Sequence, residues 1–316
     1  MHLADRVGRH LKPRDLHVFM TVVEENSMAK AAVRLAISRP VVSRTIANLE
    51  RILCVRLLDR TPRGIEPTMF GRTLLKRATA VFDELRLGIE EIAFLTDPQA
   101  GELRIASTEV WAAGLVPAAI DHLSTRFPRL RVRLEQGTAH HQFNLLRDRR
   151  CEVVISRLLT GAPESDIEMQ PLFYEPLVIV AGPRSQWTRR RRLKLSDLVE
   201  APWILSTLEA EDGSPFVEAF RSAKLSVPDA TIFSNSLHLR NNLLATGRYL
   251  TLVPGSALRF GPEGTLLKAL PIELPRWHLP TGVFSLKGRM LSPVAELFVD
   301  SIREISRPLA GADWQA

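Results

Sequence analysis

The chain has 316 residues, a length that suits two or three domains at roughly 100 to 200 residues each. Apolar residues make up 45% of the chain and charged residues 24%, and the mean hydropathy is near zero. This composition excludes a wholly disordered or fibrous protein. No apolar run approaches the roughly 18 residues of a membrane-spanning helix, so we expect no membrane partner.

The N-terminal residues and the cysteines indicate where the protein works. Asp5, Arg6 and Arg9 stand where a secretory signal needs an uninterrupted apolar segment. The two cysteines, Cys54 and Cys151, are too few for a disulfide framework and are typical of small buried side chains in a reducing compartment. We therefore expect a cytoplasmic protein.

The positive charge is concentrated near the N-terminus. Residues 1–95 hold 16 basic and 11 acidic side chains, a net charge of +5, and residues 96–316 hold the remaining +2 of the total of +7. Most of these basic residues are Arg, whose planar guanidinium suits phosphate oxygens and guanine edges. Excess Arg also keeps proteins soluble, so charge alone leaves nucleic-acid binding and solubility equally open.

Two helices are predicted in the first 36 residues. The first begins at Pro13, which a first helical turn tolerates because the missing amide would have no partner there. The second, at 28–36, is rich in Ala and follows a break at Asn26 and Ser27, either of which can cap it. Apolar residues at helical spacing predict the buried face of the first helix: Leu16, Phe19, Met20 and Val23.

The third predicted helix, 39–53, has two distinct faces. Ser38 suits its N-cap. Its inward positions are apolar at steps of four, three and four residues: Val42, Ile46, Leu49 and Leu53. Its outward face is short, polar and cationic, as a helix inserted into a DNA major groove requires. The DNA-binding candidates on this helix are Ser38, Arg39, Pro40, Ser43 and Arg44.

A β-wing is predicted after the third helix. The segment alternates and turns at 62–64, which places Arg60 and Arg63 against phosphates or the minor groove. Two helices joined by a tight turn and followed by a wing form the winged helix-turn-helix pattern. A three-helix bundle with a solvated Arg face is the alternative interpretation.

The stretch 16–75 resembles the DNA-binding region of LysR-type transcriptional regulators. The shared positions are Phe19, Val23, Ala31, Ala32, Leu35, Ser38, Pro40, Val42, Ser43, Ile46, Leu49, Glu50, Arg60, Thr68 and Gly71. Three residues depart from the family pattern: Asn26 and Cys54 stand where Gly is usual, and Arg39 stands at a DNA-reading position where Gln is common. The resemblance implies a homodimer or homotetramer on double-stranded DNA, with RNA polymerase as a further partner of an activator.

A single long helix is predicted at 69–95, after Thr68 as its N-cap. About 27 residues span roughly 40 Å. Apolar or small residues recur on it at steps of four and three: Leu74, Ala78, Val81, Leu85, Gly88, Ile92 and Leu95. This seam favours pairing with a second helix, and the dimerisation candidates are Leu74, Ala78, Val81, Leu85 and Ile92. A helix packed on its own domain is the alternative. The LysR resemblance also implies that this helix pairs two subunits.

The rest of the chain alternates strands and helices after a polar break that ends at Gly101. Strands at 103–108, 130–136 and 152–156, separated by helices, predict a parallel βαβαβ unit, and a second α/β set follows up to a closing helix at 293–305. The order resembles the two-lobed, type 2 periplasmic-binding fold that serves as the effector domain of LysR-type regulators.

The predicted architecture is therefore α/β with an N-terminal, all-α winged helix-turn-helix. The DNA-binding domain covers 1–68, the linker and dimerisation helix 69–96, and the effector-binding domain 97–316. Within the effector domain, we expect lobe one at about 102–168 and 275–309 and lobe two at about 169–274.

Hydroxyl and amide side chains follow several predicted strands, at the edge where open α/β sheets bind ligands and where helix N-termini offer N–H groups to anions. The effector-binding candidates are Ser107, Thr108, Thr138, Arg157, Ser206, Thr207 and Asn235. We expect an anionic effector such as a carboxylate. The alternative is that these residues are helix caps only. The family resemblance implies that the 107–108 and 206–207 pairs line an inducer cleft.

No catalytic motif accompanies these residues. The sequence lacks GxGxxG, GxxxxGK[ST], GxSxG and HExxH, and the adjacent His140 and His141 are a poor metal pair. We expect no enzyme activity, no catalytic or metal site and no cofactor. An effector-modulated, sequence-specific transcription regulator is the favoured function. A small-molecule-binding protein or enzyme on the same two-lobed fold and a nucleoid-type DNA protein are the alternatives.

Overall fold

The computed structural model describes residues 11–62, 64–158, 163–190, 192–260, 266–272, 274 and 279–309. Arg63, one of the predicted DNA contacts, lies outside the described residues. The chain divides into two compact units, Met1–Ile89 and Glu90–Ala316.

Three helices enclose the core of the first unit: α1 at Pro13–Glu25, α2 at Met28–Arg34 and α3 at Arg39–Leu53. Ser27 caps α2, since its hydroxyl accepts the Lys30 amide, as predicted. The predicted inner face of α3 is confirmed, because Val42, Ile46 and Leu49 are buried.

The buried face of α1 is wider than the sequence predicted. Leu16 and Phe19 are buried as expected, and Met20 is only partly buried. Val18 and Val22, which the spacing did not select, are also in the core. The reason is that α1 packs against both α2 and α3, so more than one stripe of the helix is covered.

The wing consists of two antiparallel strands, β1 at Leu58–Thr61 and β2 at Gly64–Pro67. Glu50 of α3 anchors it, because its Oε1 accepts the amides of Leu57 and Leu58 at 2.8 and 3.3 Å. The wing is therefore held to the helix whose outer face carries the DNA-binding candidates.

Two of the departures from the LysR pattern take the left-handed backbone conformation that favours glycine. Asn26 ends α1 with φ 52°, and Cys54 ends α3 with φ 56°. Asn tolerates this conformation better than most residues do. Its Oδ1 also accepts the Ile65 amide at 2.6 Å, which ties the end of α1 to the wing. Asn26 thus supplies a hydrogen bond that glycine lacks, whereas Cys54 has no such compensation beyond a contact with the Arg51 carbonyl.

A long helix, α4, spans Met69–Thr96. Thr68 caps it as predicted, since its Oγ1 accepts the Gly71 amide at 3.0 Å. Gly71 lies directly against the chain at Leu57, where a Cβ would come within 2.1 Å of the carbonyl oxygen. Only glycine fits at this position without moving the wing.

Lobe one of the second unit is a five-stranded sheet with helices on its faces. Its strands are β3 at Ala100–Ser107, β4 at Arg129–Gln136, β5 at Val153–Arg157, β6 at Ile167–Glu175 and β12 at Leu279–Leu286. Its helices are α5 at Glu109–Ala112, α6 at Leu115–Arg126, α7 at Ala139–Arg147 and α12 at Pro293–Ser306. The sheet order is β4-β3-β5-β12-β6, with β3 parallel to β4 and β5, as the βαβαβ pattern predicted, and β12 antiparallel to β5 and β6.

Lobe two is a second five-stranded sheet. Its strands are β7 at Leu177–Ala181, β8 at Trp203–Leu205, β9 at Ala230–Phe233, β10 at Leu250–Pro254 and β11 at Lys268–Ala269. Its helices are α8 at Thr207–Ala210, α9 at Pro215–Ser222, α10 at Leu237–Ala245 and α11 at Ala257–Phe260. The sheet order is β11-β7-β10-β8-β9. Short 3-10 helices lie at Gln186–Arg189, Leu195–Leu198 and Arg307–Leu309.

Strand β6 was not predicted. Because of it, the chain passes from lobe one to lobe two later in the sequence than predicted. The strand pairs with β12 in the lobe-one sheet, so the chain first leaves lobe one at Pro176 rather than near residue 168. Pro171 lies inside β6, and a proline within a segment argues against predicting a strand there. That proline lies where the register shifts between Thr281 and Gly282, an irregularity of the kind that tolerates proline within a sheet.

Candidate DNA-binding and effector sites

The outer face of α3 is open to solvent. Ser38, Arg39, Pro40, Ser43 and Arg44 are all exposed. Ser38 occupies the predicted N-cap position, but its side chain makes no capping hydrogen bond. Neither arginine forms an ion pair with another described residue. The chain therefore leaves the polar groups of this face for an external partner.

Arg60 lies on β1 of the wing, paired in register with Ile65, and is exposed. The outer face of α3 and the wing thus present cations from two separate elements of the same unit. Phosphate contacts from such cations fix the position of a protein on DNA, and donors on an inserted helix read the bases.

The α4 helix carries a row of exposed apolar side chains. Two residues of the predicted seam are not exposed: Leu74 packs against the core of the first unit, and Ala78 is buried, with 1% of its surface exposed. The remaining row is Val81, Leu85, Ile89, Ile92 and Leu95, each between 45% and 76% exposed. A contiguous apolar row of this kind marks an interaction surface.

A cavity of about 500 Å³ lies between the two lobes of the second unit. Its walls include residues at or just after the carboxyl ends of β3, β4 and β5 in lobe one and of β8, β9 and β10 in lobe two. Ligands occupy this position in open α/β sheets. The polar and charged lining residues are Thr108, Glu109, Gln136, Thr138, Ser156, Arg157, Ser206, Glu209, Asn235, Ser236 and Arg240.

Five of the seven effector-binding candidates line this cavity: Thr108, Thr138, Arg157, Ser206 and Asn235. Ser107 and Thr207 are not among its lining residues. Ser107 is fully buried, and its hydroxyl donates to the Thr108 carbonyl at 3.0 Å. Ser107 is therefore part of the core of lobe one, whereas Thr108, the residue just after β3, lines the cavity.

The hydroxyls around the cavity cap helices. Thr138, Ser206 and Ser236 each accept the amide three residues later, at 3.4, 3.1 and 3.4 Å. Glu209 completes a capping box at α8, because its Oε2 accepts the Ser206 amide at 2.6 Å. Oxygens of the chain itself therefore already occupy the helix N-termini at α7, α8 and α10.

Arg240 is paired within lobe two. Its Nη2 lies 2.9 Å from Glu209 Oε2, and its Nε donates to the Ser234 carbonyl at 2.9 Å. Its Nη1 lies 3.2 Å from the Thr251 hydroxyl. The charge and the donors of this buried guanidinium are thus satisfied.

Arg157 has fewer partners. Its side chain is 11% exposed, and its Nη2 lies 3.6 Å from Glu175 Oε1, beyond normal hydrogen-bond length. Glu175 is already engaged with the Ser256 amide at 2.7 Å and the Thr281 hydroxyl at 2.9 Å. The guanidinium lies over the Trp111 ring, 5.4 Å from its centroid. Nε and Nη2 have no hydrogen-bond partner among the described residues.

Burial lowers the pKa of the Arg157 guanidinium, and the Glu175 carboxylate offsets part of that change. The side chain remains protonated, because arginine is not deprotonated in proteins. The site therefore contains a desolvated cation with unused donors, an arrangement that costs free energy until an acceptor is supplied.

Among the lining residues that were not candidates, four carry a charge or a buried donor without a partner among the described residues: Glu109, Trp111, Glu209 and Arg240. Glu109 had a local signal, because it directly follows Thr108 at the end of β3. The pairing of Glu209 with Arg240 had none, since 31 residues separate the two.

Two protein-family models match the chain. The bacterial regulatory helix-turn-helix protein, lysR family, matches residues 13–72, and the LysR substrate binding domain matches residues 96–307. The chain belongs to the LysR family. It is a DNA-binding transcriptional regulator with an effector-binding domain, and its relatives are regulators rather than enzymes.

Relatives of this LysR-family protein align over nearly its whole length. The regulator GbpR of Azospirillum brasilense is 28% identical over 94% of this chain and 87% of its own, and the SDS degradation transcriptional activation protein of a Pseudomonas strain is 29% identical over 90% and 92%. A full-length OxyR variant from Pseudomonas aeruginosa has a similar fold, with a TM-score of 0.66 at 23% identity over 93% and 95% of the two chains. CbnR in complex with its target DNA gives 0.54 at 24% identity over 94% and 100%.

No described helix is long and apolar enough to cross a membrane. No group of three or more His, Cys, Asp or Glu within the described ranges is arranged to hold a metal ion.

Proposed function

We propose that this LysR-family regulator senses a small anionic molecule in the cavity between its lobes, with Arg157 as the partner of the acidic group. The observation that carries the proposal is the buried guanidinium on the cavity wall, with Nε and Nη2 lacking hydrogen-bond partners among the described residues. A carboxylate suits a guanidinium because two parallel N–H···O bonds form between them.

The other positive groups at the cavity are weaker candidates. Ser206 and Ser236 cap the N-termini of α8 and α10, and Glu209 neutralises Arg240. Trp111 supports the assignment to Arg157, because its indole Nε1 is also a buried donor without a partner among the described residues. Three donors without partners, on two side chains that lie in contact, favour an acceptor-rich ligand.

The remaining wall of the cavity suits a carbon skeleton. Apolar side chains from both lobes line it: Val110, Trp111, Leu177, Leu237, Leu252 and Val253. A mostly apolar cavity with a few fixed polar groups is typical of small-molecule sites. Thr108, Thr138, Ser206 and Asn235 are available for further hydrogen bonds, so the effector is proposed to be a small organic acid.

The N-terminal unit and the helix α4 are proposed to bind the other partners. Ser38, Arg39, Pro40, Ser43 and Arg44 are proposed to meet the major groove of double-stranded DNA, with Arg60 of the wing on the backbone. The row Val81, Leu85 and Ile92 is proposed to pair two copies of the chain, as a homodimer or as half of a homotetramer. RNA polymerase is a further partner if the protein activates transcription.

A thiol-based peroxide response is not proposed, although several relatives are described as hydrogen peroxide-inducible genes activators. Burial raises the pKa of the Cys151 thiol to about 12, so the reactive thiolate is scarce at neutral pH. Cys54, the other cysteine, lies at the end of α3 in the DNA-binding unit. Neither cysteine lines the cavity between the lobes.

A thermal-shift screen of small carboxylates, followed by calorimetry, tests the assignment to Arg157. We expect acids that stabilise the wild type to bind Arg157→Met at least about tenfold more weakly, because methionine keeps the length of the side chain and removes its donors. Arg221→Met is the matched control, since Arg221 is exposed and pairs with Asp212 away from the cavity. Unchanged affinity in Arg157→Met would contradict the proposal.

A further inference from the structure

Glu109 reaches across the cleft from lobe one to lobe two. It belongs to α5, and its Oε2 accepts the amide of Leu237, the first residue of α10, at 2.9 Å. A carboxylate is stabilised at this end of a helix by the unpaired amides and the helix dipole. The protein therefore supplies its own anion at the N-terminus of α10.

Glu109 also stands between two cavities. The cavity assigned to the effector and a second one of about 460 Å³ share the lining residues Glu109, Gln136 and Leu237. The hydrogen bond from Leu237 to Glu109 therefore lies in the wall that both cavities have in common. Any molecule that fills the effector cavity comes close to this carboxylate.

The charges at the effector cavity are unevenly satisfied. Glu209 and Arg240 neutralise each other. Arg157 keeps unused donors, as described above. Glu109 has no cationic partner among the described residues, and only one of its oxygens accepts a hydrogen bond from them. Within this cavity, Arg157 therefore attracts an acidic group and Glu109 repels one.

We infer that Glu109 makes the effector site selective for molecules with a single acidic group. The inference rests on the proposed function, with the first acidic group at Arg157. A second acidic group that reaches the wall formed by Glu109 would lie near its carboxylate or displace it from the Leu237 amide. The first outcome places like charges together between the lobes, and the second breaks a contact between the lobes. A neutral or cationic second group meets neither penalty.

Matched ligands separate charge from shape. The probes are hexanoate, adipate and monomethyl adipate, and benzoate, terephthalate and monomethyl terephthalate as an aromatic set. Each monoester has nearly the length of its diacid but one charge fewer. Calorimetry on the full chain should give affinities for the monoesters at least about tenfold above those for the diacids.

The decisive variant is Glu109→Gln, whose amide oxygen still accepts the Leu237 amide and keeps the lobes in contact. We expect it to bind the diacids at least about tenfold more tightly than the wild type does, with the monoesters unchanged within about twofold. Glu102→Gln is the control, because Glu102 pairs with Arg133 and does not line the cavity. It should leave all six affinities unchanged.

The outcomes distinguish this inference from the proposed function. Diacids that bind the wild type as tightly as the monoesters, or that gain nothing in Glu109→Gln, overturn the selectivity even while loss of binding in Arg157→Met upholds the acid site. Monoesters that bind wild type and Arg157→Met equally overturn the acid site itself. If none of the six acids binds the wild type or either variant at millimolar concentration, the proposed function is contradicted, and the inference falls with it.

Discussion

The two units of this regulator leave different groups without partners. In the first unit these groups are exposed to solvent: the polar face of α3, with Arg39 and Arg44, and the first part of the apolar row on α4, at Val81, Leu85 and Ile89. In the second unit the polar groups around the cavity mostly pair with one another, as Glu209 does with Arg240. Arg157 is the marked exception among the lining cations.

This contrast separates two ways of building a site. The exposed surfaces of the first unit contribute favourable free energy only when DNA or a second chain covers them. The second unit folds around a cavity whose polar residues stabilise the lobes before any ligand arrives. Substitutions on the surfaces of the first unit should therefore alter association while sparing the fold, whereas the cavity of the second unit leaves fewer residues that can be changed without structural cost.

The largest expected effect is at the apolar row of α4. Replacing Val81 and Leu85 with Glu should raise the dimer dissociation constant by at least about a hundredfold, because the charges would be buried against a partner helix. Circular dichroism should remain unchanged, since both residues are exposed in the single chain. Analytical ultracentrifugation measures the dissociation constant.

Lys76→Glu is the control for that experiment. Lys76 is exposed on α4 but is turned about 140° away from Val81 at 100° per residue. It should leave the dimer intact. An unchanged dissociation constant in the double variant would assign the interface to another surface. It would also contradict the view that the exposed apolar row mediates association.

A smaller effect is expected on the polar face of α3. Arg39→Ala should cost about 1–3 kcal/mol at the cognate operator if the guanidinium forks onto a guanine. Binding to random DNA should weaken much less, because a base contact adds nothing there. Fluorescence anisotropy on both DNAs measures the difference. Equal losses on cognate and random DNA would make Arg39 a phosphate contact and leave base reading to Ser43 and Arg44.

The smallest effect concerns a residue of the first unit that needs no partner. Cys54→Gly should stabilise the protein by about 1 kcal/mol, because the residue has φ 56°, a conformation that costs less for glycine. Cys54→Ala removes the thiol but keeps the Cβ, so it should give no gain. Urea unfolding of both variants measures the difference, and equal stabilities would show that the backbone conformation is not the cause.

The DNA-binding unit could be predicted in detail because its signals are local. The inner face of α3 needs only the spacing of Val42, Ile46 and Leu49, and its outer face needs only the neighbours of those residues. The seam of α4 was predicted with less success. Leu74 fits the period but packs against the core of its own unit, because periodicity does not distinguish a partner helix from the helix's own domain.

The cavity could be predicted only in part. Strand ends located Thr108 and Arg157, because those positions follow from the α/β order. The contact between Glu109 and Leu237 joins residues that are 128 positions apart, so no local sequence pattern predicts it. Strand β6 was missed for a different reason, since Pro171 masks its alternation and β12, its partner, comes more than 100 residues later.

The proposed function assigns the acidic group of the effector to Arg157, so an acid that binds there should alter the affinity of this regulator for DNA. The direct measurement is operator affinity with and without an acid selected by calorimetry, on a DNA fragment selected from a random pool, for wild type and Arg157→Met. We predict equal affinities of the two proteins for DNA without the acid, and a shift on adding it in the wild type only. An equal shift in Arg157→Met, or no shift in the wild type at a saturating concentration of the acid, would contradict the account.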